Sequence, residues 1–124
     1  MSALYDVLGG ETAIRRLVDR FYDLMDTDER ARGIRALHPP SLDGSRDKLY
    51  WFLVGWMGGP PMYMERFGHP RLRARHLPFT IGDAERDQWM MCMRQALDDL
   101  QVTGPARAQL EDSLQKLADH MRNQ

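Results

Sequence analysis

The stretch from Gly58 to Gly82 holds the residues best suited to chemistry. It contains Tyr63, Phe67, Leu72, Leu77, Phe79 and Ile81 together with Arg66, Arg71, Arg73 and Arg75, and Glu65 is its one carboxylate. Such a segment is too apolar to stay disordered. Its mixture of apolar and cationic groups suits a ligand that is itself apolar with an anionic edge. Haem, with its two propionates, is such a ligand. His76 sits between Arg75 and Leu77-Pro78-Phe79, where it could offer an imidazole to an iron, because an axial ligand needs an apolar wall and a restrained backbone. By spacing alone the same residue serves as well as a surface or helix-capping histidine. No HxxxH, CxxC or HExxH pattern occurs, so a zinc or di-iron centre lacks support.

Two further side chains carry donors. Tyr22 lies beside the apolar face of one helix, and Trp89 begins the face of another; each needs a hydrogen-bond partner when buried. Ordinary core packing with a backbone partner explains both on pattern alone. Met62, Met64, Met90, Met91 and Met93 read equally well as core filler.

The elements that position these residues are helices. Residues 3–8 form a short apolar turn that stops at Gly9-Gly10. From Glu11 to Met25, apolar residues at Ile14, Leu17, Val18, Phe21, Leu24 and Met25 recur in steps of three and four. A short helix follows up to about Leu37, where His38-Pro39-Pro40 ends it. The next predicted helix runs from Gly44 to Met57 with Leu49, Phe52, Leu53 and Trp56 on its face, and Gly58-Gly59-Pro60-Pro61 breaks it. The stretch after this breaker is irregular, with one short helix expected from Pro70 to His76. A helix from Ala84 to about Gln101, with Asp83 as N-cap, carries Trp89, Met93, Ala96, Leu97 and Leu100. Gly104-Pro105 opens the last, whose face is Leu110, Leu114, Leu117, Ala118 and Met121.

Composition agrees. There are 15 Leu and 9 Met but only 3 Ile, 4 Val and 4 Thr, and the first pair favours helices as the rest favour strands. A chain of 124 residues makes one all-α domain. Its 17 basic and 18 acidic residues, net charge -1, argue against nucleic acid as a partner. The single Cys92 fits a reducing compartment. The start, MSALYDVLGG, lacks a signal-peptide pattern, and the longest apolar stretch, Leu49 to Met57, is far short of the ~20 residues that span a bilayer. These features lead us to expect a cytoplasmic protein without a membrane partner.

The ordered motifs resemble the group II truncated haemoglobins. Leu4-Tyr5-Asp6 with Gly9-Gly10, Arg20-Phe21-Tyr22 and Gly58-Gly59-Pro60 are similar to that family's early signatures. Gly68-His69-Pro70-Arg71-Leu72-Arg73-Ala74-Arg75-His76-x-Pro78-Phe79 and Glu85-Arg86-Asp87-x-Trp89 resemble its two most diagnostic stretches. The resemblance covers nearly the whole chain, and it implies a truncated-globin domain over residues 1–124, a two-over-two helical sandwich around haem b. It implies His76 as the proximal iron ligand, with Tyr22 and Trp89 as distal donors to dioxygen or another diatomic ligand. Ser45 falls where many globins place a distal histidine, and Leu49 and Phe52 follow it toward the haem. Lys48 and Arg75 match positions that pair with propionates, while Tyr63, Phe67, Leu72 and Phe79 would line the macrocycle together with Trp89. His38 stands where many members carry Tyr or Phe; a neutral imidazole there donates or accepts by tautomer, or packs at the haem edge beside Pro39. Redox chemistry on bound ligand, sensing or storage is implied rather than bulk oxygen transport. A peroxidase-like or nitric-oxide-detoxifying enzyme served by an external reductase is the alternative.

Overall fold

A computed structural model describes residues 3–124, which form eight α-helices and one 3-10 turn. Helix α1 (Leu4–Leu8) ends at Gly9, whose φ of 111° is left-handed and whose N–H donates to Asp6. The Tyr5 N–H donates to the Met57 carbonyl at 3.0 Å. This contact lays α1 across the end of the fourth helix, and it requires a bare backbone there. A Cβ on Gly59 would meet the Tyr5 ring at 2.5 Å, so the second glycine pair is a steric requirement of docking.

Helix α2 (Gly10–Thr27) buries Ile14, Leu17, Val18, Phe21, Tyr22 and Met25, a continuous stripe at three-and-four spacing. Tyr22, expected beside the face, lies within it, and Leu24, expected on it, is half-buried. The 3-10 turn Glu29–Ala31 and helix α3 (Arg32–Ala36) replace the predicted single short helix, since the Asp28 carboxylate accepts from the Arg30 N–H and closes a tighter turn. Helix α4 (Asp43–Trp56) seats Leu53 and Val54 in the core, while Leu49, Phe52 and Trp56 stay half-buried.

Two helices, α5 (Met62–Phe67) and α6 (Leu72–His76), fill the stretch where one was expected. Between them Arg71 holds a left-handed conformation at φ 46°, with its N–H donating to His69 Nδ1. Helix α7 (Asp83–Asp99) starts from Gly82, not Asp83. The Glu85 carboxylate accepts the Gly82 N–H at 2.8 Å, and Asp83 occupies the first turn, where it pairs with Arg122 and complements the helix dipole. Helix α8 (Gly104–Met121) begins with its expected proline and buries Leu110, Leu114, Ala118 and Met121.

Helix α2 packs on α4 and α7, and α7 packs on α8, which makes two helix pairs laid over one another. One continuous core joins them, centred on Phe21, Leu53, Met93, Leu97 and Leu114. Burying each such side chain fully contributes roughly 1.5–3 kcal/mol. No described helix is long and apolar enough to cross a membrane.

Candidate functional site

Three groups of the predicted residues come together, each built by a different part of the fold. The first rests on α2. Phe21 touches Tyr22 and Trp89 edge-on, with ring centroids at 4.9 and 5.1 Å, and Tyr22 meets His38 at 5.9 Å. Phe21 is wholly buried, so it acts as a fixed wedge that sets the two donor-bearing rings. Burial pushes the Tyr22 phenol well above its ordinary range, opposed by the Arg46 guanidinium. Neither the Tyr22 hydroxyl nor the Trp89 N–H bonds to another described group. No buried side-chain N or O of the described residues lacks a partner, so both donors border accessible space.

His38 Nδ1 lies 2.9 Å from the Ile34 carbonyl. A carbonyl only accepts, so Nδ1 carries the proton. Burial lowers the pKa of this imidazole, partly opposed by the bond to Ile34, and the nearby Arg35 charge lowers it further. The neutral ring therefore presents a lone pair at Nε2.

The second group lies on α4 and α5. Ser45 and Leu49 are half-buried on the α4 face that carries Phe52, with Lys48 exposed beside them. Phe52 meets the buried Tyr63 edge-on at 6.5 Å, and Tyr63 meets Phe67 at 4.9 Å. The Arg75 guanidinium stands 5.9 Å above the Tyr63 ring while its Nε donates to the Pro70 carbonyl. A cleft of about 180 Å³ shares Phe52 and Tyr63 with this wall and is completed by Trp51, Trp56, Met64 and Pro70. A second, of about 220 Å³, is lined by Met25, Asp26, Asp28, Glu29, Arg32 and Arg35 and contains none of the predicted residues.

The third group is His76 with its flanks. Its Nδ1 is 2.6 Å from the Leu72 carbonyl one turn back, so Nδ1–H donates and the Nε2 lone pair is left free. Leu72 is half-buried. Leu77 and Phe79 keep 56% and 43% of their surface exposed, and Phe67 keeps 44%, a wall of large apolar groups facing outward. No three His, Cys, Asp or Glu side chains among the described residues converge as metal ligands.

Two residues here escaped the sequence reading. Arg46 donates to Asp23 at 2.7 Å and to the Asp19 carbonyl at 3.0 Å, with its guanidinium 5.9 Å from the Tyr22 ring. It ties the start of α4 to α2 over the tyrosine; Asp19 and Asp23 are spaced i,i+4, but their partner lies 23 residues beyond Asp23, where no local pattern shows it. Asn123 donates to the carbonyls of Phe79 and His76, and nothing in its local sequence marks it.

Comparison with known proteins gives the family. The profile of the bacterial-like globins matches residues 3–123. The chain is 38% identical over 123 residues to the group 2 truncated hemoglobin YjbI of Bacillus subtilis, covering 99% of this chain and 90% of that one. The group II two-on-two hemoglobin from Agrobacterium tumefaciens superposes with a TM-score of 0.96 at 45% identity, over 100% of this chain and 96% of the other. The cold-adapted truncated hemoglobin of Pseudoalteromonas haloplanktis gives 0.94 at 47% identity, over 99% of both chains. With the helix pairs and motifs above, these matches show that the chain belongs to the bacterial-like globins, as a group II truncated haemoglobin of two-over-two fold in a family of haem-based ligand binders.

Proposed function

We propose that residues 1–124 act as one cytoplasmic truncated-globin domain that binds dioxygen and related diatomic ligands at a ferrous haem b, with His76 as the proximal ligand. The observation that carries this reading is the 2.6 Å bond from His76 Nδ1–H to the Leu72 carbonyl. It holds the tautomer that a metal-binding imidazole needs, restrains the ring, and raises the basicity of Nε2. Haem supplies an iron with one coordination position for the ligand.

The chain supplies the rest, and its residues fit the group. Leu72, Phe67 and Phe79 offer apolar surface for the macrocycle, continued by Leu49, Phe52, Tyr63 and Trp89. Lys48 and Arg75 are the cations for the propionates. Tyr22 and Trp89 hold uncommitted O–H and N–H donors; a donor to a ligand that takes on negative charge contributes about 1–3 kcal/mol. His38, with Nδ1–H committed to Ile34, takes the accepting role. It competes with the ligand for the Tyr22 hydroxyl, and Ser45 adds a smaller polar group on the α4 side.

Several polar groups around one ligand slow its release. This convergence favours redox chemistry, sensing or storage over bulk oxygen transport, and it is also what a peroxidase-like or nitric-oxide-detoxifying enzyme with an external reductase would use. Steady-state turnover with peroxide or nitric oxide, faster than free haemin, distinguishes the enzyme. The main reading is tested by titrating the purified protein with haemin and recording ferric, ferrous and carbon-monoxide spectra. A saturable Soret band and a five-coordinate ferrous form are expected; no protein-induced Soret band would overturn it.

A further inference from the structure

Helix α6 has five residues and none of them is buried. The four residues after it, 77–80, are all exposed. Packing therefore does little to fix the position of His76, and the main chain must be held another way. It is held by the residues that follow α8. Asn123 Nδ2 donates to the Phe79 carbonyl at 2.7 Å and to the His76 carbonyl at 3.2 Å. Its Oδ1 accepts the Ile81 N–H at 3.0 Å, and its own N–H donates to the Ile81 carbonyl at 2.9 Å. One amide thus spans the entire turn from the end of α6 to the buried Ile81. Arg73 completes the attachment from within the helix, donating to the carbonyls of His120 at 2.7 Å and Arg122 at 3.0 Å.

We propose that Asn123 is a positioning residue for His76: its side-chain amide clamps the turn behind α6 and so sets the direction in which the imidazole presents Nε2. The inference rests on the reading of His76 as the haem ligand. The residue type suits the position. The turn exposes carbonyls that need donors and an N–H that needs an acceptor, and a carboxamide is the short side chain that supplies both. The Leu72 bond sets the tautomer and the tilt of the ring; Asn123 sets the backbone from which the ring projects.

The test uses holoprotein reconstituted with haem b. Asn123→Ala removes the clamp; Asn123→Asp keeps the acceptor for Ile81 but lacks the donors. Arg94→Ala is the control, since Arg94 joins α7 to α8 through Glu111 and Gln115, and its hydrogen bonds do not involve α6. The readouts are the iron–histidine stretching band of the ferrous form and the rate of haem transfer to an apoglobin acceptor. Loss of a group that orients a metal ligand typically costs 10–100-fold in affinity. Both Asn123 variants are expected to move or broaden the band and to speed haem loss about tenfold, at the lower end of that range, whereas Arg94→Ala leaves the band in place. An unmoved band in Asn123→Ala, or the same band change in Arg94→Ala, would overturn the clamp. His76→Gly separates the two layers. A band lost in His76→Gly but unmoved in Asn123→Ala refutes the clamp alone. A band that survives His76→Gly refutes the ligand assignment, and the clamp with it.

Discussion

The two sides of the proposed haem site are held by different forces. On the α2–α7 side, Phe21 sits at 0% exposure between the rings of Tyr22 and Trp89, so dispersion and close packing fix the donors. On the α5–α6 side, Phe67, Leu77 and Phe79 face outward, and hydrogen bonds to the main chain from Arg73 and Asn123 do the fixing. Packing is stiff because every displacement loses many contacts at once. A hydrogen bond contributes only about 0.5–1.5 kcal/mol net, so the α6 side depends on several such bonds acting together. The groups that would meet a small ligand are thus preset by the core, and the group that would grip the iron is set by hydrogen bonds.

Breaking the packed side should have the largest effect. Phe21→Ala removes the wedge and leaves a cavity, which typically costs about 3–5 kcal/mol; urea unfolding of the haem-free protein checks this. A cost under about 1 kcal/mol, far below that range, would mean that the rings are not held by packing. Trp89→Phe is subtler, since it keeps an aromatic ring against Phe21 and deletes only the N–H. Losing one donor worth about 1–3 kcal/mol should speed oxygen dissociation roughly fivefold or more, with little change in stability. Stopped-flow release with the same rate as the parent would make Trp89 a packing residue alone.

The smallest effect comes from His38, which meets the Tyr22 ring. Burial, the main cause, keeps its folded-state pKa below the ordinary 6.5, so the unfolded chain takes up the proton first. Its contribution to stability is present above the unfolded value and is lost as pH falls below it. Melts at pH 8 and at pH 5.5 should show the parent losing more stability on acidification than His38→Gln. Equal losses would contradict the burial assignment.

Sequence periodicity located the long helices because each buries one stripe, and α2 is the clearest case. It missed α5, since six residues between Pro61 and Gly68 are too few to display a period. It also could not divide the apolar residues of α4. Leu53 enters the core while Leu49, Phe52 and Trp56 remain half-buried, and the same 3.6-residue repeat describes a face packed on protein and a face left for a ligand. The ordered motifs, from Leu4-Tyr5-Asp6 to Glu85-Arg86-Asp87-x-Trp89, carried the family. Asn123 lay beyond any local reading, because its bond to Phe79 joins residues 44 apart in sequence and one amide leaves no pattern. The tautomers of His38 and His76 were equally hidden, since each is set by a carbonyl one turn back whose direction only the folded backbone defines.

The central claim is that His76 Nε2 binds the iron. Ferrous absorption spectra of His76→Ala, reconstituted with haem b beside the parent protein, test it most directly. Loss of the five-coordinate ferrous spectrum together with most of the haem affinity is the expected result. A variant that retains that spectrum and affinity would show that another group holds the iron.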